Sequence, residues 1–339
     1  MVPQTFAVSA AVELAVVERD GFVESRHAGS AVMLAPDATT LGRWGDPDAP
    51  VLPRSTLKPL QALACVTAGA PLDGEALAVA MASHAGTERH VAVVRRILEL
   101  GGFGEDALRC PAAWPADRVT RLAMIREGRP AAPVRMECSG KHAAMLLACR
   151  SAGWDPDSYC EPRHPLQVHI RDVVERMAGE RATATAVDGC GAPVHALTLT
   201  GMARAIHRMG ASSPVSPFAL HRHSAAVVAA ARAEPWAVDG PGRTDTIVAE
   251  RTGVLCKTGA EGMVVMLAPD GTTVAIKILD GAARAAAVVA LRLLESAGAV
   301  TPDLVAAAAA GLPVRVMGAG VPVGAVLPSP DLLRTAAPA

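Results

Sequence analysis

The chain is poor in aromatic side chains, with 4 Trp, 4 Phe and 1 Tyr among 339 residues. A core of this size must then be assembled from Val, Leu, Ala and Met. Surplus charge is also missing, with 32 basic against 33 acidic residues and a net charge of −1. That balance excludes the basic field that nucleic acid or an anionic membrane surface requires. No uninterrupted apolar stretch reaches the ~18 residues of a membrane span. The N-terminus, Met1-Val2-Pro3-Gln4-Thr5, has neither the basic segment nor the apolar run of a secretion signal. The 7 cysteines (65, 110, 138, 149, 160, 190, 256) are odd in number, scattered and without a Cys-x-x-Cys pair. Reduced thiols in a cytoplasm are the expectation.

What is present is patterned by region. Residues 6–34 read as strands, with Val12, Leu14 and Val16 alternating with polar neighbours and Arg19-Asp20-Gly21 as a hairpin turn. A second strand follows Gly21, a third covers 31–34, and Ala35-Pro36-Asp37 closes a three-strand meander. From Leu57 to about Arg232 the spacing is helical, over 88–100, 142–150, 166–177, 196–209 and 217–232. Strands return at 253–257, 262–267 and 272–278, followed by an apolar helix over 282–297. The Ala/Pro/Gly-rich tail after Thr301 carries no clear pattern. The expected architecture is α+β, a single catalytic unit over 1–339. Its antiparallel sheet is built from both chain ends, 1–50 and 250–300, with flanking helices and a mainly helical region over 55–235.

The stretch Pro53-Arg54-Ser55-Thr56-Leu57-Lys58-Pro59 holds Ser-x-x-Lys between two prolines. Proline is tolerated in the first turn of a helix, so the helix starts near Ser55. Ser55 and Lys58, three apart, then share one face. A lysine at the positive end of the helix dipole is disfavoured by ~0.3–1 kcal/mol. The same field lowers its pKa, as a general base requires. A capping box would place Glu or Gln there instead. Read alone, the pair is still an ordinary N-cap and a solvated side chain.

Two further segments change that reading. Ser83, in Ala82-Ser83-His84-Ala85-Gly86, offers a second hydroxyl, although alone it is a loop serine before a helix. Lys257-Thr258-Gly259 ends a strand. Ser-x-x-Lys, then Ser, then Lys-Thr-Gly is an order known from serine acyl-transfer enzymes that use lysine as base. Two lysines in one site would depress each other's pKa. A third cluster joins Glu137-Cys138-Ser139-Gly140-Lys141-His142 to Asp188-Gly189-Cys190-Gly191. Cys138, His142 and Cys190 are donors suited to zinc, or Cys138 and Cys190 are simply buried reduced thiols. His221-Arg222-His223 and His90, His164, His169 and His207 have no partner pattern and read as surface or helix-packing residues.

Together these segments, with Gly242-Arg243-Thr244-Asp245-Thr246 and Lys257-Thr258-Gly259-Ala260-Glu261-Gly262, resemble the rhizobial-type (class 3) L-asparaginase family over most of the chain. The resemblance implies a fold similar to glutaminases and serine β-lactamases. It implies hydrolysis of L-asparagine to aspartate and ammonia. It implies that Ser55 with Lys58, and Ser83 with Lys257, form two Ser–Lys pairs. It places Arg54, His142 and Asp188 near the substrate and a zinc ion on Cys138, Lys141 and Cys190, in a cytoplasmic homodimer. Other Ser–Lys amidases, such as a glutaminase, a β-lactamase or a penicillin-binding peptidase, are the nearest alternatives. A non-catalytic zinc or amino-acid-binding protein of this fold would have lost a Ser or Lys of the set, and none is lost.

Overall fold

The structure, a computed structural model, describes residues 4–334. Met1, Val2 and Pro3, part of the N-terminal segment read above for a secretion signal, lie outside the described residues. The chain opens with β1 (Val12–Arg19) and β2 (Phe22–Leu34), then β3 (Thr40–Trp44) and the short β4 (Pro50–Val51). β2 is one strand of 13 residues where the sequence suggested two. Gly29, before the expected third strand, serves close approach of backbones. A Cβ there would stand 2.2 Å from the carbonyl oxygen of Lys277 on the neighbouring strand.

Helices α1 (Lys58–Thr67), α2 (Gly74–Ala80), α3 (Glu88–Gly101), α4 (Arg118–Arg126), α5 (Ser139–Ala152) and α6 (Pro165–Ala178) follow. A hairpin of β5 (Ala184–Val187) and β6 (Pro193–Thr198) interrupts them before α7 (Leu199–Gly210), α8 (Ala219–Ala233), the one-turn α9 (Pro235–Val238) and α10 (Thr244–Thr252). The helix expected from 196 starts at Leu199 because the Thr198 side chain accepts from the Gly201 N–H and caps it. The chain ends with β7 (Leu255–Gly259), β8 (Met263–Leu267), β9 (Thr273–Ile278), α11 (Ala286–Ser296), α12 (Pro302–Gly311), β10 (Arg315–Gly318) and β11 (Val321–Pro328).

One eight-stranded sheet runs in the order β10-β11-β1-β2-β9-β8-β7, with β3 also paired to β2. Its pairings are all antiparallel. Both chain ends build it, and the tail that looked featureless supplies two of its strands. Pro322, Gly324 and Pro328 hid β11 from a propensity reading. Gly324 is required there, since a Cβ would meet the Glu18 carbonyl oxygen at 1.9 Å.

Alternation along the strands buries both faces. Met263, Val265 and Leu267 of β8 pack with α1, α5, α6, α7 and α8, whereas Val264 and Met266 pack with α10 and α11. The aliphatic and Met side chains expected from the scarcity of aromatics fill both cores. Among the described residues, no helix is long and apolar enough to cross a membrane.

A small second sheet, β4-β6-β5, lies within the region that read as helical. β4 leads directly into the Ser55 turn, and the β5–β6 turn carries Asp188, Gly189 and Cys190. Pairing Val51 with Leu197, and Val187 with Pro193, brings these two segments together. This sheet positions the site.

Candidate active site

Ser55 lies in a 3₁₀ turn, Arg54–Leu57, and Lys58 begins α1 with Pro59 in its first turn. The backbone N–H of Lys58 donates to the Ser55 carbonyl, which fixes the two one turn apart. Arg54 holds a left-handed φ of 52°, an unfavourable conformation for a residue with a Cβ. Its Nε donates to Asp188 Oδ1 at 2.7 Å, and its Nη1 lies 3.9 Å from Glu261 Oε1. Arg54 thus ties the Ser55 turn to the loops carrying Cys190 and Lys257.

The expected pairing of serines and lysines is not the one the side chains make. Lys58 is fully buried, and its Nζ donates to Ser83 Oγ at 2.9 Å and to the Ala82 carbonyl at 2.7 Å. Ser83 is held by backbone on both sides: its N–H donates to Val238, and the next N–H, of His84, donates to Glu137. Ser55 and Ser83 are both buried, each retaining 7% exposure.

Lys257 is paired with Asp245, at 2.7 Å between fully buried side chains. Asp245 Oδ1 also accepts from the Thr258 N–H at 2.9 Å, and its own N–H donates to Asp239 Oδ2 at 3.1 Å. Burial alone would lower the pKa of Lys257, but Asp245 and Asp239 outweigh it and the pKa is raised. The mutual depression expected for two lysines does not govern Lys257. Asp239 is shifted up by burial and by Asp245, against Arg243, whose Nε donates to it at 2.5 Å.

The third cluster also forms. Cys138 precedes α5, which places Lys141 and His142 in its first turn. Lys141 Nζ lies 3.1 Å from Cys190 Sγ. The neighbouring Cys138 thiol lowers the pKa of Cys190 despite burial, with help from Lys141. The same interaction pushes Cys138 up. Burial would lower Lys141, but the two sulfurs raise it. Among the described residues, no group of three or more His, Cys, Asp or Glu is placed to hold a metal. A zinc ion would therefore need Lys141 beside Cys138 and Cys190. Two sulfurs and one nitrogen suit zinc, and binding would displace the Lys141 proton.

His142 is fully buried. Tyr159 OH accepts from the Arg109 N–H at 3.0 Å and lies 2.7 Å from His142 Nδ1. His142 Nε2 is buried without a partner among the described residues. Burial, then Lys141, lowers His142 to about 3, so it stays neutral. An unsatisfied buried polar nitrogen costs ~1–3 kcal/mol, which a ligand group would relieve.

Two cavities flank the Lys257 turn. One of 480 Å³ is lined in part by Arg54, Glu261 and Lys277. The other, of 570 Å³, is lined in part by Asp239, Arg243, Thr258 and Gly259. Neither lining includes Ser55, Lys58, Ser83 or Lys257; the cavities reach the rim of the site through Arg54, Glu261 and Thr258.

The sequence reading gave no role to Asp245, Asp239, Tyr159 or the His84–Ser139 contact. Gly86 N–H donates to His84 Nδ1, so His84 Nε2–H donates to Ser139 Oγ at 2.8 Å. That contact links the Ser83 loop to the start of α5. Asp245 was within reach of sequence reasoning, as an acid in the first turn of a helix just before Lys257. Asp239 likewise acts within its own segment, whereas Tyr159 reaches the Arg109 N–H 50 residues away and the His84–Ser139 contact spans 55.

Asp188 offers a stability test. Burial raises its carboxyl, but Lys141 and Arg54 outweigh burial and hold it below the usual range. Its contribution is therefore present at neutral pH and lost as pH falls below ~4 toward its folded value. Melting temperature followed against pH should show an acid limb. Asp188→Asn should lower the neutral melting temperature and flatten that limb; an unchanged limb contradicts the assignment.

A buried lysine bonded to a serine is a pair suited to activating a hydroxyl nucleophile. The L-asparaginase II model matches residues 15–328, and the chain belongs to that family. No curated protein matches it. Among solved structures, it is similar to Mglu in its glutamate form, at 12% identity with a TM-score of 0.46. That match covers 81% of this chain and 62% of the other, so the chain spans less than two thirds of that structure's length. A Bacillus glutaminase matches at 12% identity and a TM-score of 0.44, over 80% of this chain and 92% of that one. A probable glutaminase, YbaS, matches at 15% identity and a TM-score of 0.30, over 74% and 78%.

Proposed function

We propose that this amidohydrolase is an L-asparaginase, releasing aspartate and ammonia from L-asparagine. The observation that carries the reading is the fully buried Lys58 bonded to Ser83, one helical turn after Ser55. Ser55 attacks the side-chain carbonyl, and its proton passes by way of Ser83 to Lys58. The Thr56 N–H is taken by the Pro53 carbonyl at 3.2 Å, which leaves the Ser55 N–H, at the start of the turn, as the donor offered to the oxyanion. Lys58 returns its proton to the departing nitrogen, and water then hydrolyses the acyl-enzyme. Arg54 and Asp188 orient the amino-acid end of the substrate, with the unpartnered His142 Nε2 as a third contact.

Cys138, Lys141 and Cys190 would hold a zinc ion, which when bound supplies fixed geometry and positive charge to the substrate pocket. The protein would act as a cytoplasmic homodimer. The deciding experiment is an ammonia assay on the purified protein with asparagine and glutamine in parallel. Zinc content is measured on the same sample. Asparagine should be turned over in preference, with about one zinc per chain. Preference for glutamine would make the protein a glutaminase, and turnover without zinc would remove the metal.

A further inference from the structure

The two lysines differ in their surroundings, and the difference assigns their work. Lys257 belongs to a closed cluster of four charges: Lys257 and Arg243 against Asp245 and Asp239. The cluster is neutral as it stands. Removing the Lys257 proton would leave a net negative charge where Asp245 and Lys257 have no exposure and Asp239 has 2%. Lys58 has no carboxylate within ion-pair distance among the described residues; its partners are a carbonyl and a hydroxyl. Gaining or losing a proton at Lys58 strands no counter-charge.

We propose that Asp245 is a positioning residue that fixes Lys257 as a permanent cation and so leaves Lys58 as the lysine that accepts a serine proton. This rests on the amide-hydrolysis reading above and goes beyond it. Two equivalent Ser–Lys pairs become one base and one fixed positive charge. The serine O–H breaks, the proton forms an N–H bond on Lys58, and the same proton later completes the leaving ammonia. Lys257 gains and loses nothing; its charge offsets the negative charge developing on the substrate oxygen.

Asp245 also anchors the edge strand of the sheet, which α10 covers. It accepts the Thr258 N–H, which has no strand beyond β7 to pair with among the described residues. The carboxylate therefore fixes both the Lys257 ammonium and the strand that carries it. The 570 Å³ cavity, lined by Asp239, Arg243 and Thr258, reaches this cluster from outside.

The charged and titratable groups acting on Lys257 are Asp245 and Asp239 and, on its own strand, Cys256. Arg243 completes them through Asp239. The 54–57 turn packed on β7 brings uncharged Ser55, Thr56 and Leu57, with Arg54 taken up by Asp188. β8 offers apolar residues, and α8 buries Val227, Val228 and Ala231.

The test uses the full chain labelled with ζ-¹⁵N lysine, in wild type and Asp245→Asn. The Lys257 ammonium signal should persist in wild type above the ordinary lysine midpoint of ~10.4 and titrate earlier in Asp245→Asn. In kinetics, Asp245→Asn should lower kcat about 10²-fold. It should also move the alkaline limb of the pH–rate profile to lower pH, and Asp245→Glu should restore part of both. Where Asp245→Asn does not fold, Asp239→Asn should show the same displacement in smaller measure. A wild-type Lys257 that titrates in the ordinary range overturns the proposal. So does an Asp245→Asn enzyme slowed equally at every pH, which marks a merely structural role. The NMR titration does not depend on turnover, so absence of asparagine hydrolysis would sink the functional reading and leave this one decided separately.

Discussion

Lys58→Met should reduce asparagine turnover by about 10³-fold or more, because it removes the base while filling nearly the same volume. Three features of the position make the effect large. The lysine is fully buried, so no solvent group takes its place. It is bonded to Ser83, so the hydroxyl loses its proton acceptor. It sits at the first residue of α1, one turn after Ser55. Folding should survive, since an apolar side chain replaces a buried amine whose partners are one carbonyl and one hydroxyl. The check is kcat and KM for asparagine, with the melting temperature of the same preparation. Turnover within tenfold of wild type would remove Lys58 from the mechanism. A collapse in melting temperature would make it a structural residue.

Ser55→Ala is the second large effect, again about 10³-fold or more in kcat. Ser55 forms part of the 3₁₀ turn through its backbone, and alanine keeps that geometry. Substrate should still bind, so KM should change far less than kcat. Ser83→Ala makes the comparison informative. If Ser55 attacks and Ser83 relays, a burst of product followed by hydrolysis is lost only in Ser55→Ala. Mass spectrometry of the acid-quenched enzyme should find the acyl adduct on the peptide containing Ser55. An adduct on the Ser83 peptide would exchange the two roles. The Lys58–Ser83 contact is then direct activation of the nucleophile.

Much of the architecture could be read from pattern. The two-residue period of β1, β7, β8 and β9 and the helical spacing from Leu60 onward are local signals, set by backbone geometry and a buried face. Where pattern failed, contact with distant backbone was the cause. β2 was read as two strands, and the reason for a glycine at position 29 within it is the distant Lys277 carbonyl. β11 was hidden because its prolines and Gly324 suit a strand only where β10 and β1 flank it. β5 and β6 were lost among helices because their purpose is to bring β4 beside Asp188 and Cys190.

The site divides along the same line. The residue types and their order, with prolines framing Ser55 and Lys58 and a Lys-Thr-Gly strand end, were present in the sequence and led to the family. Partnership was not. Spacing within one turn suggested Ser55 for Lys58, and only the fold brought Ser83 to it across twenty-five residues. Analogy suggested Ser83 for Lys257, and only the fold placed Asp245 against it. A sequence specifies which groups a protein owns and what local geometry each prefers. The charge state of a buried lysine depends on which carboxylate reaches it, and that is settled by packing between segments remote along the chain.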